Sequence, residues 1–103
     1  MRYLVILPLL AGCAMTDDGL GQRPVIASYQ SIKAPRDVAD CLSRTVTLRP
    51  IEPSGDGYIT LRKNPYGSPM SRYDVVRVDA GSRVDVRSNA SFAAGLDKVS
   101  ACL

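Results

Sequence analysis

Residues 73–88 read Tyr73-Asp74-Val75-Val76-Arg77-Val78-Asp79-Ala80-Gly81-Ser82-Arg83-Val84-Asp85-Val86-Arg87-Ser88, and the fold turns on how this stretch pairs with itself. Val76 and Val78 precede Asp79-Ala80-Gly81-Ser82-Arg83, and Val84 and Val86 follow it. Apolar residues alternating with polar ones around a glycine-containing turn specify a β-hairpin with one buried face. Placing those four valines on the buried face pairs Val78 with Val84 and Val76 with Val86, leaving Ala80-Gly81-Ser82 as a three-residue loop. The same register sets Asp79 opposite Arg83 and Arg77 opposite Asp85. Each such opposite-charge pair contributes about 0.2–1 kcal/mol, so the outer face agrees with the choice made for the inner one.

Upstream of this hairpin, Tyr58-Ile59-Thr60-Leu61-Arg62 alternates in the same way, and Thr45-Val46-Thr47-Leu48-Arg49 is rich in β-formers. Between them Glu52-Pro53-Ser54-Gly55-Asp56-Gly57 is a strong turn, so the two segments are expected to form a first hairpin. A helix is expected to begin at Pro35, whose fixed φ and missing N–H suit a first helical position, with Asp37 favourable in the first turn. Val38, Cys41, Leu42 and Thr45 then share one helical face. A second helix is expected after the capping residues Ser88-Asn89, with Phe92, Leu96, Val99 and Leu103 on one stripe and Cys102 beside it. The order α-β-β-β-β-α specifies an α+β domain in which two helices cover one face of a three- to four-stranded antiparallel sheet. Residues 14–34, interrupted by Gly, Pro, Ser and Asp, read as a tether.

The 103 residues suffice for one small domain. A net charge of +3 lacks the clustered basic footprint of a nucleic-acid binder. The chain contains no histidine, which removes Ser-His-Asp and Cys-His catalysis and His-ligated metal sites. The single glutamate, Glu52, lies in a turn, and no aspartate pair or phosphate-binding glycine loop is nominated by spacing. No catalytic residue, metal ligand or cofactor is therefore expected, and the protein is expected not to be an enzyme.

The first residues carry a different message. Met1-Arg2 is a short positive start, followed by the apolar Tyr3-Leu4-Val5-Ile6-Leu7-Pro8-Leu9-Leu10, too short for the roughly 20 residues of a membrane span. The sequence Leu10-Ala11-Gly12-Cys13 resembles, at all four positions, the lipobox of bacterial lipoproteins. The resemblance covers the signal alone. It implies that residues 1–12 are removed, that Cys13 receives a diacylglycerol, and that its new amine is acylated, as by palmitate. Ala14 in place of the Asp that retains such proteins in the inner membrane implies the periplasmic face of the outer membrane. Removal of residues 1–12 takes Arg2 and no acid, lowering the formal charge to +2.

With Cys13 committed to lipid by that resemblance, Cys41 and Cys102 remain as the pair, in a compartment oxidising enough to join them. The loop so closed is about 61 residues, for which chain entropy gives roughly 4 kcal/mol. The expected organisation is a signal over residues 1–12, a lipidated tether over 13–34 and a folded domain over 35–103.

In the architecture so read, the sheet face opposite the helices carries Tyr58, Arg62, Tyr73, Arg77 and Arg87 together with Thr60, Val75, Arg83 and Asp85. Tyrosine and arginine are enriched in recognition surfaces. This face is expected to bind an envelope protein or an anionic glycan, in a monomer held at the membrane through Cys13. The alternative is a structural or accessory surface lipoprotein, such as one encoded by a phage or mobile element, that acts through anchoring alone.

Overall fold

The computed structural model describes residues 20–89 and 95–103. The expected signal, the lipobox with Cys13, the first part of the tether and Phe92 lie outside the described residues. Within them the chain forms strand β1 (Ala27–Ser31), helix α1 (Pro35–Leu42) with a π-helical turn (Ser43–Thr47), strands β2 (Glu52–Ser54), β3 (Gly57–Lys63), β4 (Pro69–Val78) and β5 (Gly81–Ser88), and helix α2 (Leu96–Ser100). The α+β class is as expected, but the sheet has five strands, in the order β1-β5-β4-β3-β2, all antiparallel.

Helix α1 starts at Pro35, with Asp37 in its first turn and an Arg36–Asp40 pair on its exposed side. Its inward face, Val38, Ala39 and Leu42, continues into Val46 of the π-helical turn and lies on Tyr73, Val75, Val84 and Val86 of the sheet, with Val99 and Cys102 closing the layer. The chain thus crosses the inner face diagonally, because β1 and β2 are the two opposite edges of the sheet. Cys41 and Cys102 are joined by a disulfide, Cα–Cα 5.6 Å, which fastens α1 to the end of the chain.

Four expectations are corrected. Ala27–Ser31, read as tether, is edge strand β1, whose Ala27 and Tyr29 reach the inner face opposite Val86 and Val84. Residues 45–49 are not a strand: Val46 completes the helical stripe into the core, and the π-helical turn ends at Leu48 in the left-handed region, φ 55°. The strand paired with β3 is instead Glu52–Ser54, joined to it through Gly55 and Asp56. Ser88 does not cap a helix: it ends β5, and its hydroxyl meets that of Ser71 at 2.9 Å. Asn89 binds backward to β4, through Met70 O and Pro69 O, and α2 starts only after Gly95.

The fourth correction concerns the deciding hairpin. Its turn is Asp79-Ala80, two residues, and the pairs are Val78↔Gly81, Val76↔Arg83, Val75↔Val84 and Tyr73↔Val86. Relative to the expected register β5 has slipped by three residues, an odd number, which moves every β4 side chain to the other face. Tyr73 and Val75 are fully buried, while Val76 and Val78 are on the outer face. Burying the aromatic body of Tyr73 with Val75 removes more apolar area from water than burying Val76 and Val78, which explains the outcome. Gly81 serves the same register: the Ser31 carbonyl lies where its Cβ would stand, so only glycine lets β1 come this close.

Candidate interaction surface

The face of the sheet away from the helices is assembled by the register. Ile59 and Leu61 of β3 stand opposite Asp74 and Arg72 of β4, which stand opposite Asp85 and Arg87 of β5. Ser28 and Gln30 of β1 continue those rows opposite Asp85 and Arg83. Two carboxylates directly across a strand pair repel one another. Here the arginines around them offset that cost.

Arg72 Nε donates to both oxygens of Asp74 at 3.1 Å, and Arg87 Nη1 donates to Oδ2 of the same carboxylate at 2.6 Å. Arg83 Nε donates to Asp85 Oδ1 and Oδ2 at 3.1 and 3.2 Å, and Ser28 Oγ adds a bond at 2.8 Å. Both carboxylates are mostly covered, with side chains 14% and 15% exposed. These are charge-assisted bonds in a partly dry setting, stronger than neutral ones. The centre of the face is therefore a stiff polar plate, fringed by half-buried Ile59, Leu61, Val76 and Val78.

The chain ahead of β1 lies on this same face. Leu20 is buried, and Gly21 packs so closely on the Arg72 guanidinium that a side chain there would displace it. Arg87 Nε donates to the Arg23 carbonyl at 2.9 Å. Next to Arg72, Leu61 and Ile59 line a shallow groove of about 120 Å³ whose other walls are Arg49, Pro50, Glu52, Thr60 and Lys63.

Leu48 immediately precedes Arg49, one of the groove's walls. It is 78% exposed, and its left-handed backbone costs a non-glycine residue about 1–2 kcal/mol. Hydrogen bonds around its neighbour hold it there. Ser43 Oγ and Thr60 Oγ1 donate to the Arg49 carbonyl at 2.5 and 3.4 Å, while Arg49 N–H donates to Thr47 Oγ1 at 3.3 Å. Thr47 Oγ1 in turn lies 2.7 Å from Thr60 Oγ1.

The five residues expected to form one binding face do not share a face. Tyr58, Arg62, Tyr73 and Arg77 all stand on the helix side, since their register partners are Val75, Ser71, Val86 and Ser82. Tyr58 lies beneath the Arg36 guanidinium, 5.9 Å from the ring centroid. Tyr73 is wholly buried, and burial pushes its hydroxyl above the usual tyrosine range against the opposing pull of Ser71 and Arg62. Arg77 is exposed, and of the five Arg87 alone is on the outer face. The expected cross-strand pairs Asp79–Arg83 and Arg77–Asp85 are replaced by pairs within strands, Arg72–Asp74 and Arg83–Asp85.

Sequence reasoning missed Arg72, Asp74, Ile59, Leu61 and Leu48. A signal for the first two was present. Arg72-Tyr73-Asp74 and Arg83-Val84-Asp85 repeat one pattern, and residues two apart on a strand point the same way, so each doublet is a ready-made ion pair. Among the described residues no helix is long and apolar enough to cross a membrane. Comparison with protein families, with curated proteins and with solved structures finds no match to this chain.

Proposed function

We propose that the protein is a lipid-anchored, non-enzymatic module of the bacterial cell envelope, held by Cys13 and presenting the outer face of its sheet to another envelope component. The observation that carries this reading is that outer face: α1 and α2 pack on the opposite side of the sheet, and next to the chain at residues 20–23 the outer face bears a preorganised Arg–Asp plate with an apolar fringe. Such a surface combines rigidity with mixed chemistry, and recognition surfaces gain affinity from groups that need no further ordering. The lipobox-like Leu10-Ala11-Gly12-Cys13 supports the anchor, and Ala14 supports the periplasmic face of the outer membrane. The Cys41–Cys102 disulfide is in keeping with an exported, oxidising location.

Photo-crosslinking in cells tests this reading. A photoreactive side chain at Ile59 or Val76 is expected to give a discrete adduct, and one at Asp37 on the helix layer is not. Equal labelling from both sides, or none from the outer face, would refute the interaction module. The Cys13→Ser variant is expected to lose the added acyl mass and membrane retention, and unchanged retention would refute the anchor.

A further inference from the structure

The geometry points to the envelope component being the lipid surface itself: the groove beside β2 and β3, together with the exposed Leu48 next to its wall residue Arg49, seats the domain on an anionic phospholipid bilayer. This rests on the Cys13 anchor proposed above, and three observations carry it further.

The first is reach. The described chain begins at Leu20, buried on the outer face, with Gly21 against Arg72, the register partner of the groove residue Leu61. Seven Cα–Cα steps lead from Cys13 to Leu20, a contour of at most about 25 Å. The anchor therefore leaves the domain beside the groove, and the outer face stays within a short distance of the headgroups. The second is shape: Leu48 is a large apolar side chain, 78% exposed, held in an unfavourable backbone conformation by the bonds around Arg49. A leucine so placed contributes nothing to the core and is positioned to enter an apolar boundary. The third is charge. Arg49 and Lys63 flank the groove against one carboxylate, Glu52, so the wall next to Leu48 is net cationic. An apolar residue beside basic ones matches the boundary between acyl chains and anionic headgroups.

The chain contains no tryptophan, so a single introduced one reports cleanly. The lipidated full-length Leu48→Trp variant, reconstituted in phosphatidylcholine vesicles containing phosphatidylglycerol, is expected to be quenched several-fold by brominated acyl chains. The Asp37→Trp variant on the helix layer is expected to be unaffected. Adding Arg49→Glu and Lys63→Glu to Leu48→Trp, or omitting phosphatidylglycerol, is expected to remove most of the quenching. Mass spectrometry of the same samples reads the anchor separately. Acyl mass on Cys13 with an unquenched, iodide-accessible Leu48→Trp signal would overturn the seating and leave the anchor standing. Shielding from iodide without lipid quenching would mean that a protein or a second copy covers Leu48, and would also overturn it. Absence of acyl mass would remove the anchor and this inference together.

Discussion

The two faces of β4 are one residue apart in sequence and entirely different in physics. On one side Ser71, Tyr73 and Val75 are buried on the helix side, with the Ser71 hydroxyl 2.9 Å from that of Ser88. On the other, Arg72, Asp74 and Val76 face outward, and the charges are satisfied laterally by Arg87 and by each other. The centre of the inner face, around Val75, Val84 and Val86, is held by area removed from water, and its charged residues Arg62 and Arg77 are only partly buried or exposed. The outer face is held by paired charges, which tolerate change in any one member. Side-chain type does not separate the two: each face carries valine, and Val75 and Val76 are adjacent.

Substitution by a charge is the harshest way to break this contrast. Val75→Asp is expected to abolish folding, because an unpaired carboxylate would be buried beside Val84 and Tyr58, whereas Val76→Asp is expected to cost under about 1 kcal/mol. Circular dichroism of the two purified variants decides it, and equal stability would overturn the register. Next comes the crosslink under the inner face. Replacing both Cys41 and Cys102 by Ser is expected to lower stability by about 4 kcal/mol, read by urea unfolding. The Asp74→Asn change on the outer face removes the charge shared by Arg72 and Arg87 and is expected to cost about 1–2 kcal/mol, with the fold intact.

The smallest effect is confined to high pH. Burial raises the pKa of Tyr73 in the folded chain, so its contribution is fully present below the unfolded tyrosine value of about 10. It is lost as pH rises from there through the folded value. Tyr73→Phe is expected to flatten the alkaline limb of the stability profile relative to the parent, and identical limbs would show that Tyr73 does not titrate with unfolding.

The legible features were those with local causes. Pro35 announced the start of α1 because its ring fits a first helical turn, and Val38 and Leu42 announced the buried face by their spacing. The Cys41–Cys102 pairing was reached by elimination and is present. The register of the deciding hairpin was not legible from its valines alone. The segment Tyr73-Asp74-Val75-Val76-Arg77-Val78 offers an apolar set in each parity, and the choice between them depends on what α1 and β3 bring to the sheet. Strand β1 was missed for a related reason. Ala-Ser-Tyr-Gln-Ser contributes only Ala27 and Tyr29 to the core, too little apolar area to stand out from a linker. The candidate surface inherited the register error, which is why four of its five expected residues lie on the wrong side.

The disulfide also sets how the molecule carries load. A protein held at its beginning and pulled at its end transmits tension along the chain to Cys41, across the sulfur–sulfur bond to Cys102, and out through Leu103. Residues 42–101, which include β2 through β5, are bypassed and remain slack. Among the described residues, the segment at 20–26, β1 and α1 stand in the line of force, so a pull that peels them from the sheet leaves the four-stranded remainder and its bridge in place.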